Sequence, residues 1–124
     1  MAWHWNDFLE LARDLAERSD ESSLRTAISR AYYAALGVGR AFLISEGREL
    51  PEDNSLHAAV WQSFYSSSDD RRYYIAIDGR WLRTNRNEAD YDEAVDNLPL
   101  RARQSIKKAH TLIAAIERLR SANH

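Results

Sequence analysis

The chain reads as all-α, an antiparallel up-and-down bundle of four long helices plus one short helix, folded as a single domain over residues 1–124. Three observations carry that reading. Apolar residues recur at alternating three- and four-residue spacing through each long segment, the period of a helix with one buried face. Proline occurs only at 51 and 99, and glycine only at 37, 39, 47 and 79, so long uninterrupted helices are permitted. The one strand-like run, residues 72–77, finds no second strand in the chain to pair with.

The first helix is predicted from about Trp5 to Arg18, with Trp5, Phe8, Ala12 and Leu15 as its buried stripe. Ser19 to Ser23 follow as a turn rich in capping residues. In the second helix, Leu24, Ile28, Ala31, Ala35, Val38, Phe42 and Ser45 alternate by four and three, which predicts a span of about 21–46 ending at Gly47. Gly37 and Gly39 inside it each cost about 1 kcal/mol relative to Ala, a cost that close approach of a neighbouring helix offsets.

A loop around Pro51 leads to a short helix from about Ser55 to Ser66 carrying Leu56, Val60 and Phe64. The next helix is placed at about 70–95 with Tyr74, Ile77, Trp81 and Thr84 as its stripe and Gly79 as a point of kinking. Asn97 caps the last helix, Pro99 sits in its first turn, and Ala102, Ile106, Ala109, Ile113 and Ile116 form its stripe to about Ser121.

Composition narrows the function classes. At 44% apolar and 29% charged residues, 124 residues suit one globular domain with a single core. No run approaches the ~18 consecutive apolar residues of a membrane span. The N-terminal residues show neither a basic leader nor an apolar run, which points to a cytoplasmic protein. The absence of cysteine excludes disulfides, thiolate metal sites and thiol nucleophiles. No cofactor is called for, and His4, His57 and His124 are too scattered for a metal site, with His57 read as surface. Arg103 and His110 lie on one side of the last helix, and His110 is read as a partly buried packing residue.

A net charge of −2 argues against a dominant electrostatic grip on nucleic acid. The distribution is nonetheless uneven. Arg71, Arg72, Arg80, Arg83 and Arg86 face a single acid, Asp78, within residues 71–86, and the following ten residues hold Glu88, Asp90, Asp92, Glu93 and Asp96. At about 100° per residue, Arg83, Arg86, Asn87, Asp90 and Tyr91 share one polar arc of the helix. Such an arc either holds a phosphate, whose oxygens match the guanidinium fork, or is a solvated face with intrahelical ion pairs such as Arg86 to Asp90.

Two phrases on successive long helices carry a family likeness: Ser29-Arg30-Ala31-Tyr32-Tyr33-Ala34 and Arg86-Asn87-Glu88-Ala89-Asp90-Tyr91. Together they resemble the HEPN superfamily, most closely its small stand-alone bacterial and archaeal members. The resemblance implies a four- to five-helix bundle, a homodimer with a cleft between protomers, and a link to RNA or nucleotides. It implies that many relatives are metal-independent ribonucleases whose motif is Arg, four to six residues, then His, and that some are toxins paired with a nucleotidyltransferase. On that pattern Arg86 and, by position only, Tyr91 take the catalytic positions and Arg86 and Asn87 carry over as phosphate or nucleotide ligands; the polar arc adds Arg83 to the RNA- or nucleotide-binding set. The histidine position is occupied by Tyr91, however, and a phenol with a reference pKa near 10 is a poor proton shuttle at neutral pH.

Arg30, Tyr33 and Asp90 are the supporting residues: Arg30 either reaches Asp90 across the two helices or contributes to a ligand site. Whether the chain is an enzyme is therefore open. The expected function is an RNA- or nucleotide-binding module, a toxin–antitoxin or defence component with weak or degenerate ribonuclease activity. The alternative is a non-catalytic dimeric interaction protein that partners a nucleotidyltransferase or another protein.

Overall fold

Small residues along the second helix decide the architecture. Ala27, Ala31, Ala34 and Ala35 are fully buried, and side chains of that size let other helices approach from several sides. A computed structural model describes residues 4–122 as five helices: α1 (Asn6–Ala16), α2 (Glu21–Ser45), α3 (Leu56–Tyr65), α4 (Asp70–Tyr91) and α5 (Leu98–Ala122). Helix α2 touches all four others, and every pair of consecutive helices is in contact. His124 lies outside the described residues.

The side-chain contacts between α2 and α4 run in opposite order along the two helices, which defines an antiparallel pair. Glu46, just past α2, meets Arg72, Tyr33 meets Arg86, Ser29 meets Asp90, and Arg25 meets the backbone of Asp92. Helices α4 and α5 are antiparallel by the same test: Glu88 and Asn85 meet Arg101, while Asp78 meets Lys108.

The predicted stripes of α2, α3 and α5 match the buried face closely, with Leu56 and Ile106 at its margin and Ser45 exposed. In α1 the buried residues are Leu9 and Ala12, flanked by partly buried Trp5, Phe8 and Leu15. This helix is only 11 residues long, so one of the four helices expected to be long is short. It stops because Ser19 adopts a left-handed φ of 69° and Asp20 accepts from Ser23 N–H to start α2.

Helix α4 departs most from expectation. Tyr74 and Ile77 are exposed, Thr84 is exposed, and the buried face is Ile75, Ala76, Gly79, Leu82, Asn85 and Ala89. The helix is rotated because its smaller residues admit the bulky Trp61 of α3: a Cβ on Gly79 would come within 2.3 Å of that indole. Gly79 therefore seats a ring, and α4 runs unbroken through it. Gly37 plays the same part for Trp5, whose ring would lie 1.9 Å from an added Cβ.

Helix α4 also ends at Tyr91, four residues early, because Arg25 of α2 captures the carbonyls there. Its guanidinium donates to the backbone oxygens of Ala89 at 2.9 Å, Asp92 at 2.6 Å and Glu93 at 2.9 Å. These acceptors would otherwise be left unpaired at a helix end. At the start of α5, Asn97 takes a φ of 56°, which asparagine tolerates, and its carbonyl accepts from Arg101 N–H.

Candidate functional site

The two phrases singled out in the sequence lie against each other across the α2–α4 interface. Arg86 stands at their centre. Its Nη2 donates to the Tyr33 hydroxyl at 2.5 Å and its Nη1 to Asn87 Oδ1 at 3.0 Å. Its Nε lies 2.8 Å from Asp90 Oδ2, but the N–H is not aimed along that line, so the contact is an ion pair without a formed hydrogen bond. The guanidinium also sits over the Tyr33 and Tyr91 rings, at 4.9 and 5.6 Å. With 15% of its side chain exposed, Arg86 is an enclosed, partnered cation and not the open fork that an incoming anion needs.

Arg30 does not form an ion pair with Asp90 among the described residues. Ser29 stands between them, donating to Asp90 Oδ2 at 3.3 Å while accepting from Arg30 Nη2 at 3.4 Å. Arg30 lies over the Phe8 and Tyr33 rings, so Tyr33 is flanked by two arginines. Tyr91 is 73% exposed and Asn87 is exposed.

Arg83, one turn before Arg86, is placed differently. It makes no hydrogen bond or ion pair among the described residues. It lines an open groove of about 430 Å³ between α3 and α4, together with Ser55, Trp61, Gln62 and Arg80. Arg80 is oriented there by a 3.0 Å bond to Gln62 Oε1 and lies 4.4 Å above the Tyr65 ring. The groove thus presents two arginines and no carboxylate.

His57 belongs to this neighbourhood, against the surface reading of it. Trp61 Nε1 donates to the Tyr32 hydroxyl at 3.2 Å, and that hydroxyl lies 2.7 Å from His57 Nδ1. An indole N–H can only donate, and among the described residues Nδ1 is the one acceptor within reach of the buried Tyr32 O–H, so the phenol oxygen accepts from Trp61 and offers its own proton to Nδ1. The neutral imidazole then carries its proton on Nε2. The ring stacks on Tyr32 and meets Tyr33 edge-on, with centroids 5.5 and 6.0 Å away. Burial, then the charges of Arg83 and Arg86, holds the His57 pKa below its usual value. Burial pushes the Tyr32 phenol up to about 12, so it stays protonated.

Sequence spacing could not reveal His57, because its partners lie on another helix. The available signal was its position one turn before Trp61 on the buried side of a short helix. Asn85 was also missed: this buried amide accepts from Arg101 through both Nε and Nη2 and donates to the Trp81 carbonyl. Its register with Leu82 and Ala89 was the sign that it is buried. Arg103 and His110 line a separate groove of about 560 Å³ between α1 and α5, and His110 is exposed, with Nδ1 3.3 Å from Arg13.

Among the described residues no group of three or more His, Cys, Asp or Glu side chains could hold a metal ion. Among them, too, no helix is long and apolar enough to cross a membrane. Neither the curated proteins nor the solved structures yield a match to the chain. The family model described as HEPN domain matches residues 6–119, nearly the whole bundle and both phrases that meet at Arg86. The chain belongs to the HEPN family.

Proposed function

We propose that the protein is an RNA- or nucleotide-binding HEPN module that takes the phosphate of its ligand in the α3–α4 groove. The observation that carries this is Arg83, a cation with no acidic partner among the described residues, facing an open groove beside a second arginine. A guanidinium in that state offers a planar pair of donors to phosphate oxygens at little cost in broken contacts. Arg86 and Asn87 take a supporting part, holding Tyr33 and the C-terminal turns of α4 in place. The reading extends to a toxin–antitoxin or defence role with weak or degenerate ribonuclease activity.

Fluorescence anisotropy with a labelled single-stranded oligoribonucleotide tests it. Arg83→Ala is expected to weaken binding about tenfold or more, and wild-type affinity is expected to fall with salt as counterions are displaced. Affinity untouched by Arg83→Ala, or no binding by the wild type, rejects the groove. Product analysis of the same incubations reports any cleavage.

A second reading is favoured by one surface. Tyr65, Tyr73, Tyr74 and Ile77 are all exposed, the three tyrosines forming a run of ring contacts at 5.4 and 5.5 Å. Such a patch suits a protein contact. In this reading the chain is a homodimer or the partner of a nucleotidyltransferase and does no chemistry. Sedimentation of wild type and Tyr74→Glu, with co-purification of a co-expressed nucleotidyltransferase, separates it from the first.

A further inference from the structure

We propose that the groove between α1 and α5 is a further binding site, for a small amphipathic acid. The apolar body of the ligand lies on Leu24 and Ile106, and its anionic head meets Arg103 and Lys107. This site is independent of the anion reading of the α3–α4 groove.

Shape comes first. The groove measures about 560 Å³. That falls within the roughly 300–1,000 Å³ of small-molecule sites, which are mostly apolar with a few placed polar groups. Helix α1 stops at Ala16, whose methyl leaves room against α5, and the Ser19 turn then leads into α2. Leu24 of α2 is buried beneath the groove, and Ala16 and Ile106 are partly buried against the same core. Pro99, in the first turn of α5, adds a fourth apolar side chain to the lining. An apolar ligand body seated on them removes carbon surface from water on both sides.

Charge comes second. Arg103, Ile106, Lys107 and His110 fall on one face of α5 by their three- and four-residue spacing, so two cations stand one turn apart beside Ile106. Neither Arg103 nor Lys107 makes a hydrogen bond or ion pair among the described residues. Arg13 of α1 brings a third cation, and its Nη2 lies 3.3 Å from His110 Nδ1. A guanidinium can only donate, so the imidazole nitrogen accepts and the contact bridges α1 and α5 without cancelling the charge. Arg13 and His110 also line a smaller groove of about 260 Å³, so their bridge stands at the boundary between the two. The single carboxylate in the lining, Glu17, forms no ion pair among the described residues.

Three cations against one carboxylate, around an apolar floor, complement a ligand that is negative at one end and greasy at the other. A carboxylate and a phosphate monoester both match the guanidinium fork of Arg103. The ligand class is therefore an organic acid of either kind on an apolar body.

Calorimetric titration of the whole protein with octanoate and with octyl phosphate, kept below micelle formation, tests the site beside octan-1-ol and acetate. Methyl NMR of the same samples gives the location. The acids are expected to shift the Leu24 and Ile106 methyl resonances and to bind about tenfold or more tightly than octan-1-ol, as a charge-assisted contact allows. Acetate, with no apolar body, is expected not to bind. A double variant, Arg103→Gln with Lys107→Gln, removes two exposed and unpartnered side chains, so circular dichroism should match wild type. It is expected to bind the acids no better than the alcohol. Arg83→Ala should leave these affinities unchanged, so this site and the α3–α4 groove succeed or fail separately. Tighter binding by octanoate identifies a carboxylate ligand, and tighter binding by octyl phosphate a phosphate monoester; either supports the proposal. No binding by either acid, shifts confined to residues outside the groove, or acid affinity untouched in the double variant overturns it. Octan-1-ol binding as tightly as the acids overturns it as well, because the cations then take no part.

Discussion

Tyr33 and Arg86, 53 residues apart in the chain, are joined by a 2.5 Å hydrogen bond and by the guanidinium lying 4.9 Å above the phenol ring. This contact ties the two family phrases to each other. It also makes Arg86 a part of the α2–α4 interface, because its Nη2 and Nη1 donate to Tyr33 and Asn87 and its Nε lies 2.8 Å from the Asp90 carboxylate.

Arg83 and Arg86 should therefore respond differently to truncation. Arg86→Ala is expected to destabilise the fold by about 2–4 kcal/mol, since it removes the donor to the Tyr33 hydroxyl and the cation paired with Asp90. Arg83→Ala, with no hydrogen bond or ion pair to lose among the described residues, is expected to stay within about 0.5 kcal/mol of wild type. Urea unfolding of both variants followed by circular dichroism checks the contrast, and equal losses would contradict it.

Stability should fall as pH drops below about 6.5, the ordinary histidine value, toward the lower pKa of folded His57. The sign follows from the depressed pKa: the unfolded chain takes up the proton first, so acid favours unfolding. Below the folded pKa this contribution levels off. Thermal melts of wild type and His57→Gln between pH 7.5 and 5 should converge at the acid end, and parallel curves would exclude His57 as the source.

Gly79→Ala tests the seat of Trp61. An ordinary helix gains about 1 kcal/mol from that substitution. Here the new methyl meets the indole at 2.3 Å, and the expected net effect is a loss of about 1–3 kcal/mol. Displacing Trp61 also disturbs its bond to Tyr32, so the His57 ring resonances should shift. A stabilised protein with unchanged resonances would contradict the packing.

Arg25→Ala removes the donor that closes the end of α4. The expected cost is about 1–3 kcal/mol, concentrated in residues 89–93. Hydrogen exchange checks the location: protection should drop in the last turn of α4 and remain high around Leu82.

The helices and their order were legible in the residues because periodicity is local. The buried faces of α2 and α5 follow from the spacing of Ile28, Ala31, Ala35, Ala109, Ile113 and Ile116 alone. The two phrases likewise pointed to the family that the matched domain confirms. In α4 the same logic chose Tyr74 and Ile77, because large apolar residues weigh most in a stripe. The fold instead buries Ala76, Gly79 and Asn85, since only a shallow face admits Trp61.

The site divided in the same way. Its residue types were visible: a run of arginines on one helix and a Tyr-Tyr pair on another. Which arginine is enclosed and which is open was decided by the rotation of α4 against α2 and α3, as was the arrival of His57 beside Tyr32. A linear pattern places side chains around one helix axis. The partners across an interface depend on how two axes are turned and offset, and packing over the whole core settles that.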